Sequence, residues 1–146
     1  MPFSDPQGVP AATYRLQLRK EFPFAEAQRL VPYLHRLGIS TCYTSPILMS
    51  AAGSTHGYDV VEHNSLNPEL GGDEAFQRLC DALAAADIGL ILDFVPNHMS
   101  ADPSVNGWWR NVLENGPSSP FARYFDSGRT AVKNATKSTR INTLID

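Results

Sequence analysis

The sequence predicts an α/β fold in which three parallel strands are joined by crossover helices. Three observations carry this reading. Apolar residues alternate at period two in the first short segment and recur at period 3.6 in the two segments that lie between the strands. A glycine stands where the first helix must stop. The third strand segment is almost wholly apolar, as in a parallel strand buried on both faces.

The first strand is read over 13–18, with Tyr14, Leu16 and Leu18 on one face and Thr13, Arg15 and Gln17 on the other. A helix follows over 24–37, because Ala27, Leu30, Val31, Leu34 and Leu37 keep the i, i+3, i+4, i+7 spacing. Pro32 lies inside it and removes one ladder donor, so a kink or a division is expected there. Gly38 ends it by admitting the left-handed conformation. The second strand is read over 39–44, followed by a long polar loop containing Gly53, Gly57, Gly71 and Gly72. Asp73 is read as the cap of the second helix, whose stripe is Phe76, Leu79, Cys80 and Leu83. The third strand covers 89–95.

Such an order builds either a doubly wound sheet or a barrel. Both place their chemistry beyond the carboxyl ends of the strands. No GxGxxG follows the first strand, and no GxxxxGK[ST] occurs anywhere in the chain. Nucleotide binding loses its main support, and the barrel gains.

Composition bounds the remaining possibilities. The 146 residues carry a formal net charge of −3 and are 42% hydrophobic, enough apolar material for one globular core. No stretch approaches the roughly 20 apolar residues that span a bilayer, and residues 1–15 lack the pattern of a secretory signal. Cys42 and Cys80 form no CxxC pair, so a reducing, cytoplasmic setting is expected. Residues 1–126 hold 8 Lys+Arg against 14 Asp+Glu, a net of −6, whereas residues 127–146 have a net of +3. Four basic residues scattered through that end, with no aromatic among them, are too sparse for a nucleic-acid site. Residues 127–146 are read as a poorly ordered tail, and 1–126 as the folded part.

Two clusters fall at the predicted strand ends. Asp93, Asn97 and His98 follow the third strand, in the run DFVPNH. An Asp there either braces the adjacent loop or contacts a ligand directly. His98 can donate to a substrate hydroxyl, and Asn97 can fix the loop or offer its amide oxygen to a hard cation. His56, Gly57, Tyr58 and Asp59 form the second cluster. The Tyr58 ring is either a platform for the apolar face of a sugar or an ordinary buried ring with a bonded hydroxyl. Trp108 and Trp109 pose the same choice between packing and carbohydrate contact. His56, His63 and His98 match no familiar zinc-ligand spacing. Neither Ser45 nor Ser54 sits in a GxSxG elbow, so a serine nucleophile is not indicated.

These residues resemble a known family. DFVPNH at 93–98 is similar to the Asp-x-x-x-Asn-His region after the third barrel strand in the α-amylase clan of glycoside hydrolases, and HGYD at 56–59 to that clan's region after strand two. TYRLQL at 13–18, YLHRLGIS at 33–40, TSPI at 44–47, GSTHGYDV at 53–60 and NPELGG at 67–72 resemble the maltooligosyl trehalose synthase family within it. So does NGWWRNVLENGPSSPFARYFD at 106–126. The likeness stops after Asp126.

The resemblance implies the first three strands of a parallel (β/α)8 barrel, incomplete, since such barrels take eight strands in about 250 residues. The implied activity isomerises the reducing-end α-1,4 linkage of a maltooligosaccharide to an α,α-1,1 linkage by a retaining mechanism. It implies an α-glucan substrate, no cofactor, no metal, no nucleic acid and no membrane. Tyr58 would stack on the sugar ring, and His98 would hydrogen-bond that ring. His56, Trp108 and Trp109 would line subsites, while Asp93, Asn97 and Asp59 would be architectural. The nucleophile and the acid/base would follow later strands, so the isolated chain is expected to be inactive. It is also expected to aggregate, or to need a complementing fragment, because of its unpaired edge and exposed apolar faces.

Overall fold

The computed structural model describes residues 9–126; the segment read as a disordered tail lies outside them. Two compact units divide the chain after Ser100, and each is described by itself.

In the first unit, β1 (Thr13–Leu16), β2 (Thr41–Thr44) and β5 (Gly89–Leu92) form a parallel sheet in the order β1-β2-β5. Helices α1 (Phe24–Arg36) and α2 (Gly72–Ala85) are the crossovers, as the periodicities predict. Leu16 and Leu18 from the first strand segment, Cys42 from β2, Phe24, Ala27, Val31 and Leu34 from α1, and Leu79 and Leu83 from α2 form one buried core. The helix-facing rows of the sheet bring Leu16, Cys42 and Leu90 to the core, with Thr44 buried among them, while the row Arg15–Tyr43–Ile91 belongs to the opposite face.

The end of α1 follows directly from Gly38. Its φ of +81° lets its own N–H reach the His35 carbonyl at 3.0 Å and the Ile39 N–H reach that of Leu34 at 3.0 Å. Leu34 and Ile39 then pack together in the core, the apolar contact that accompanies such a terminus. Pro32 does not divide α1, which runs unbroken. The proline is exposed, so the carbonyl it leaves without a helical donor is not sealed in the core.

Three further expectations are corrected. The polar segment after β2 is not all loop. It contains an antiparallel hairpin of β3 (Leu48–Ser50) and β4 (Val60–Leu66), whose interrupted register and polar residues hide the strand period. Asp73 does not cap α2; Gly71 occupies the cap with φ +109°, and Asp73 lies in the first turn, where its charge complements the helix dipole. The third strand ends at Leu92 and is not buried on both faces: Ile91 is 43% and Leu92 41% exposed. Among the described residues β5 is an outer strand, and no further strand covers it.

In the second unit, α3 (Gly107–Asn115) precedes two short 3-10 turns, Gly116–Ser118 and Ala122–Tyr124. Fully buried Asn106 caps α3, its Oδ1 accepting from the Trp109 N–H at 3.0 Å. No helix of the described residues is long and apolar enough to cross a membrane.

Candidate functional site

The site gathers at the carboxyl ends of the parallel strands. β1 contributes Arg15, with Gln17 just beyond it. β2 contributes Tyr43, and Asp93 directly follows β5. Asp93 prolongs the ladder by one bond, its N–H donating to the Thr44 carbonyl at 3.1 Å, which fixes its position against β2.

Asp93 Oδ2 accepts two phenols: Tyr58 donates at 2.5 Å and Tyr43 at 2.9 Å. Arg15 Nη2 donates to the Tyr58 oxygen at 3.2 Å, and its guanidinium lies 5.5 Å from the centre of the Tyr43 ring. Tyr58 is thus anchored from both outer strands of the sheet. The Asp93 carboxylate favours the protonated phenol, so Tyr43 ionises above the usual tyrosine value. The bond to Tyr58 likewise holds the Arg15 proton more firmly than usual.

The loop that carries Tyr58 is held by its own hydrogen bonds. Ser54 Oγ donates to Asp59 Oδ1 at 2.5 Å and accepts the Gly57 N–H at 3.0 Å. The Tyr58 N–H donates to His56 Nδ1 at 3.1 Å, so Nε2 carries the ring proton in the neutral form. The His56 and Tyr58 rings stack 6.0 Å apart at 26°. Gln17 Nε2 reaches the carbonyls of Thr55 at 3.4 Å and His56 at 3.3 Å. Gly57 is required here: its φ is +81°, and a Cβ would stand 2.8 Å from the Pro46 carbonyl oxygen. Ser45 is buried and spends its hydroxyl on the Leu18 N–H at 2.8 Å, a bracing role.

Among the sequence candidates, Tyr58, Asp93, His56 and Asp59 come together in this one network. Asn97 and His98 lie on the segment that continues from Asp93. Both are exposed and, among the described residues, neither makes a hydrogen bond. Trp108 and Trp109 stand on α3 of the second unit. Trp109 is 6% exposed and packs on Phe125, centroids 5.1 Å apart. Trp108 is half-buried, stacked on Phe121 at 5.1 Å and 15° and tilted against Tyr124 at 5.2 Å. Among the described residues no cluster of three His, Cys, Asp or Glu side chains is placed to hold a metal.

Sequence reasoning missed Arg15, Gln17, Tyr43 and Ser54 as site residues. The signal for the first two was present: a charged and an amide side chain alternating with leucines at the carboxyl half of a barrel strand. Tyr43 carried no such signal, because only the strand register sets it beside Arg15.

Comparison with known proteins identifies the family. The alpha-amylase family model, described as "Alpha amylase, catalytic domain", matches residues 27–143. A Mycobacterium tuberculosis protein named "Putative maltooligosyl trehalose synthase" is 46% identical over 121 residues, which are 79% of this chain and 16% of that protein. The structure of maltooligosyltrehalose synthase from Arthrobacter ramosus superposes with a TM-score of 0.77 at 47% identity, covering 80% of this chain and 16% of that one. The intracellular maltogenic amylase of Bacillus subtilis is 35% identical over 94 residues, 64% of this chain and 15% of that enzyme. The chain spans about one sixth of the length of these relatives. With the barrel-type strand order, the strand-end network and the family model in agreement, this chain belongs to the alpha-amylase catalytic-domain family.

Proposed function

We propose that this chain supplies part of the sugar-binding rim of an enzyme that isomerises the reducing-end α-1,4 linkage of a maltooligosaccharide to an α,α-1,1 linkage. The single observation that carries the reading is the Tyr58 phenol, fixed between Asp93 and Arg15 at the carboxyl ends of three parallel strands. A tyrosine whose hydroxyl is bound at the sheet end offers its ring, and not its polar tip, to the apolar face of a glucose unit. His98 is exposed on the segment leading from Asp93, and its unspent nitrogens suit a sugar hydroxyl. His56 flanks the same ring; on the second unit, half-buried Trp108 is proposed separately as a sugar contact. Buried Trp109 serves the packing of α3.

In the proposed reaction one carboxylate displaces the terminal glucose and holds the rest of the chain as a glycosyl-enzyme, while a second carboxyl group protonates the leaving oxygen. The freed glucose then attacks through its anomeric hydroxyl, which the second group deprotonates. These two groups stand about 5–5.5 Å apart in a retaining site. Asp93 Oδ2 is occupied by two phenols and Asp59 Oδ1 by Ser54, which assigns both to positioning. The reacting pair is assigned, in this reading, to barrel strands outside the described residues. Isomerisation rather than hydrolysis requires the glucose to stay bound and water to be kept from the intermediate.

The test is reconstitution. Residues 9–126 replace the matching segment of the Arthrobacter ramosus synthase, and the folded chimera is given maltopentaose. A non-reducing, trehalose-ended product supports the proposal. A chimera that melts cooperatively yet releases only reducing sugars overturns it in favour of a hydrolase, the reading favoured by the likeness to the maltogenic amylase.

A further inference from the structure

We propose that Arg15 is a positioning residue that sets the tilt and order of the Tyr58 ring. The inference rests on the reading of Tyr58 as a sugar platform and deepens it, giving Arg15 a specific task beyond its single bond to the phenol.

The geometry is that of a clamp. A phenol hydrogen-bonded only to Asp93 keeps one fixed point, and its ring can swing about that point. Arg15 supplies a second point on the same oxygen, from the opposite outer strand of the sheet. The guanidinium does more than donate once. Its Nη1 donates to Gln17 Oε1 at 2.9 Å, and Gln17 in turn reaches the carbonyls of Thr55 and His56, on the loop that carries Tyr58. Its Cζ also lies 5.5 Å from the ring centre of Tyr43, the other phenol on Asp93 Oδ2. One planar, five-donor group therefore touches the platform, the residue tying down the platform's loop and the second ligand of the platform's carboxylate. A lysine ammonium has the charge but not the fork, so it satisfies one of these partners at a time.

The alternative is that Arg15 is an exposed cation whose contacts matter little, since surface charge pairs commonly contribute almost nothing. The two differ in what they predict for Tyr58.

The experiment uses the chimera described above labelled with 3-fluorotyrosine, its Tyr58 fluorine signal assigned by Tyr58→Phe, unsubstituted and as Arg15→Met, Arg15→Lys and Gln17→Leu. Arg15→Met is expected to broaden or split the Tyr58 signal while leaving Tyr14 and Tyr33 unchanged. It should also weaken maltopentaose binding about tenfold, the loss that accompanies one charge-assisted hydrogen bond. Arg15→Lys should recover part of both effects, a graded rescue that a merely structural role does not give. If Arg15→Met fails to fold, Gln17→Leu carries the test, because it cuts the tie to the loop and leaves the arginine in place. A Tyr58 signal unchanged in folded Arg15→Met, or in Gln17→Leu when that variant carries the test, overturns the proposal. An unsubstituted chimera that does not bind maltopentaose, but whose Tyr58 signal responds to Arg15, overturns the platform reading and supports the clamp.

Discussion

Tyr43 and Tyr58 donate to the same oxygen of Asp93, at 2.9 and 2.5 Å, although Tyr58 lies 15 positions beyond Tyr43 and Asp93 lies 35 positions beyond Tyr58. The sharing gives the network its order: β2 supplies one phenol, the hairpin loop the other, and the carboxylate after β5 joins them.

The shared carboxylate makes a prediction about titration. A group whose folded value is raised adds stability below its unfolded value, and that stability is lost as pH rises through the folded value. Tyr43 therefore favours the folded state through neutral pH and withdraws that support only above 10, its ordinary value. Asp93→Asn removes the charge and is expected to bring the ionisation of Tyr43 down towards 10, read as tyrosinate absorbance against pH. An unchanged titration would show that the hydrogen bond to Asp93 is not the cause.

The loop makes a second prediction. Gly57→Ala sets a methyl group against the Pro46 carbonyl in a left-handed backbone, and strain of this kind costs about 1–3 kcal/mol. Urea unfolding should show that loss. The Tyr58 fluorine signal should broaden as well, because the adjacent residue must move to relieve the contact.

The cysteines make a third. Cys42 is fully enclosed in β2, and burial pushes its thiol up to about 11, whereas half-exposed Cys80 on α2 is raised less and remains reachable. At pH 8 a thiol reagent is expected to modify one cysteine, mapped to Cys80, and to reach Cys42 only when denaturant is added. Rapid modification of both in the native chain would contradict the packing of Cys42.

The second unit makes a fourth. Asn106→Ala removes the cap of α3 and should cost about 1–2 kcal/mol. Tryptophan fluorescence reports it, since Trp108 and Trp109 occupy the first turn of that helix.

Much of this architecture was legible in the residues because local patterns and tertiary contacts agree. The stripe of α1, its stop at Gly38 and the alternation in β1 need no distant partner to be read. The hairpin was not legible: Val60–Leu66 carries Glu62, His63 and Asn64, and only its pairing with β3 makes it a strand. The exposure of β5 escaped for the opposite reason, because an apolar sequence records what a strand is built to meet and not what covers it in the described residues. At the site, Tyr58, His56, Asp59 and Asp93 stood out as motif residues. Arg15 and Tyr43 did not, since their part depends on strand register, which brings position 15 beside 43, and on the loop laying Tyr58 across both.

The central claim is that Tyr58, held by Arg15 and Asp93, carries a glucose ring. The most direct measurement is a crystal structure of the reconstituted barrel with bound maltopentaose. It should show a sugar ring lying against the Tyr58 face, with His98 in hydrogen-bond reach of that ring's hydroxyls and both bonds to the phenol intact. An ordered oligosaccharide bound elsewhere on the barrel, with Tyr58 bare, would contradict the account.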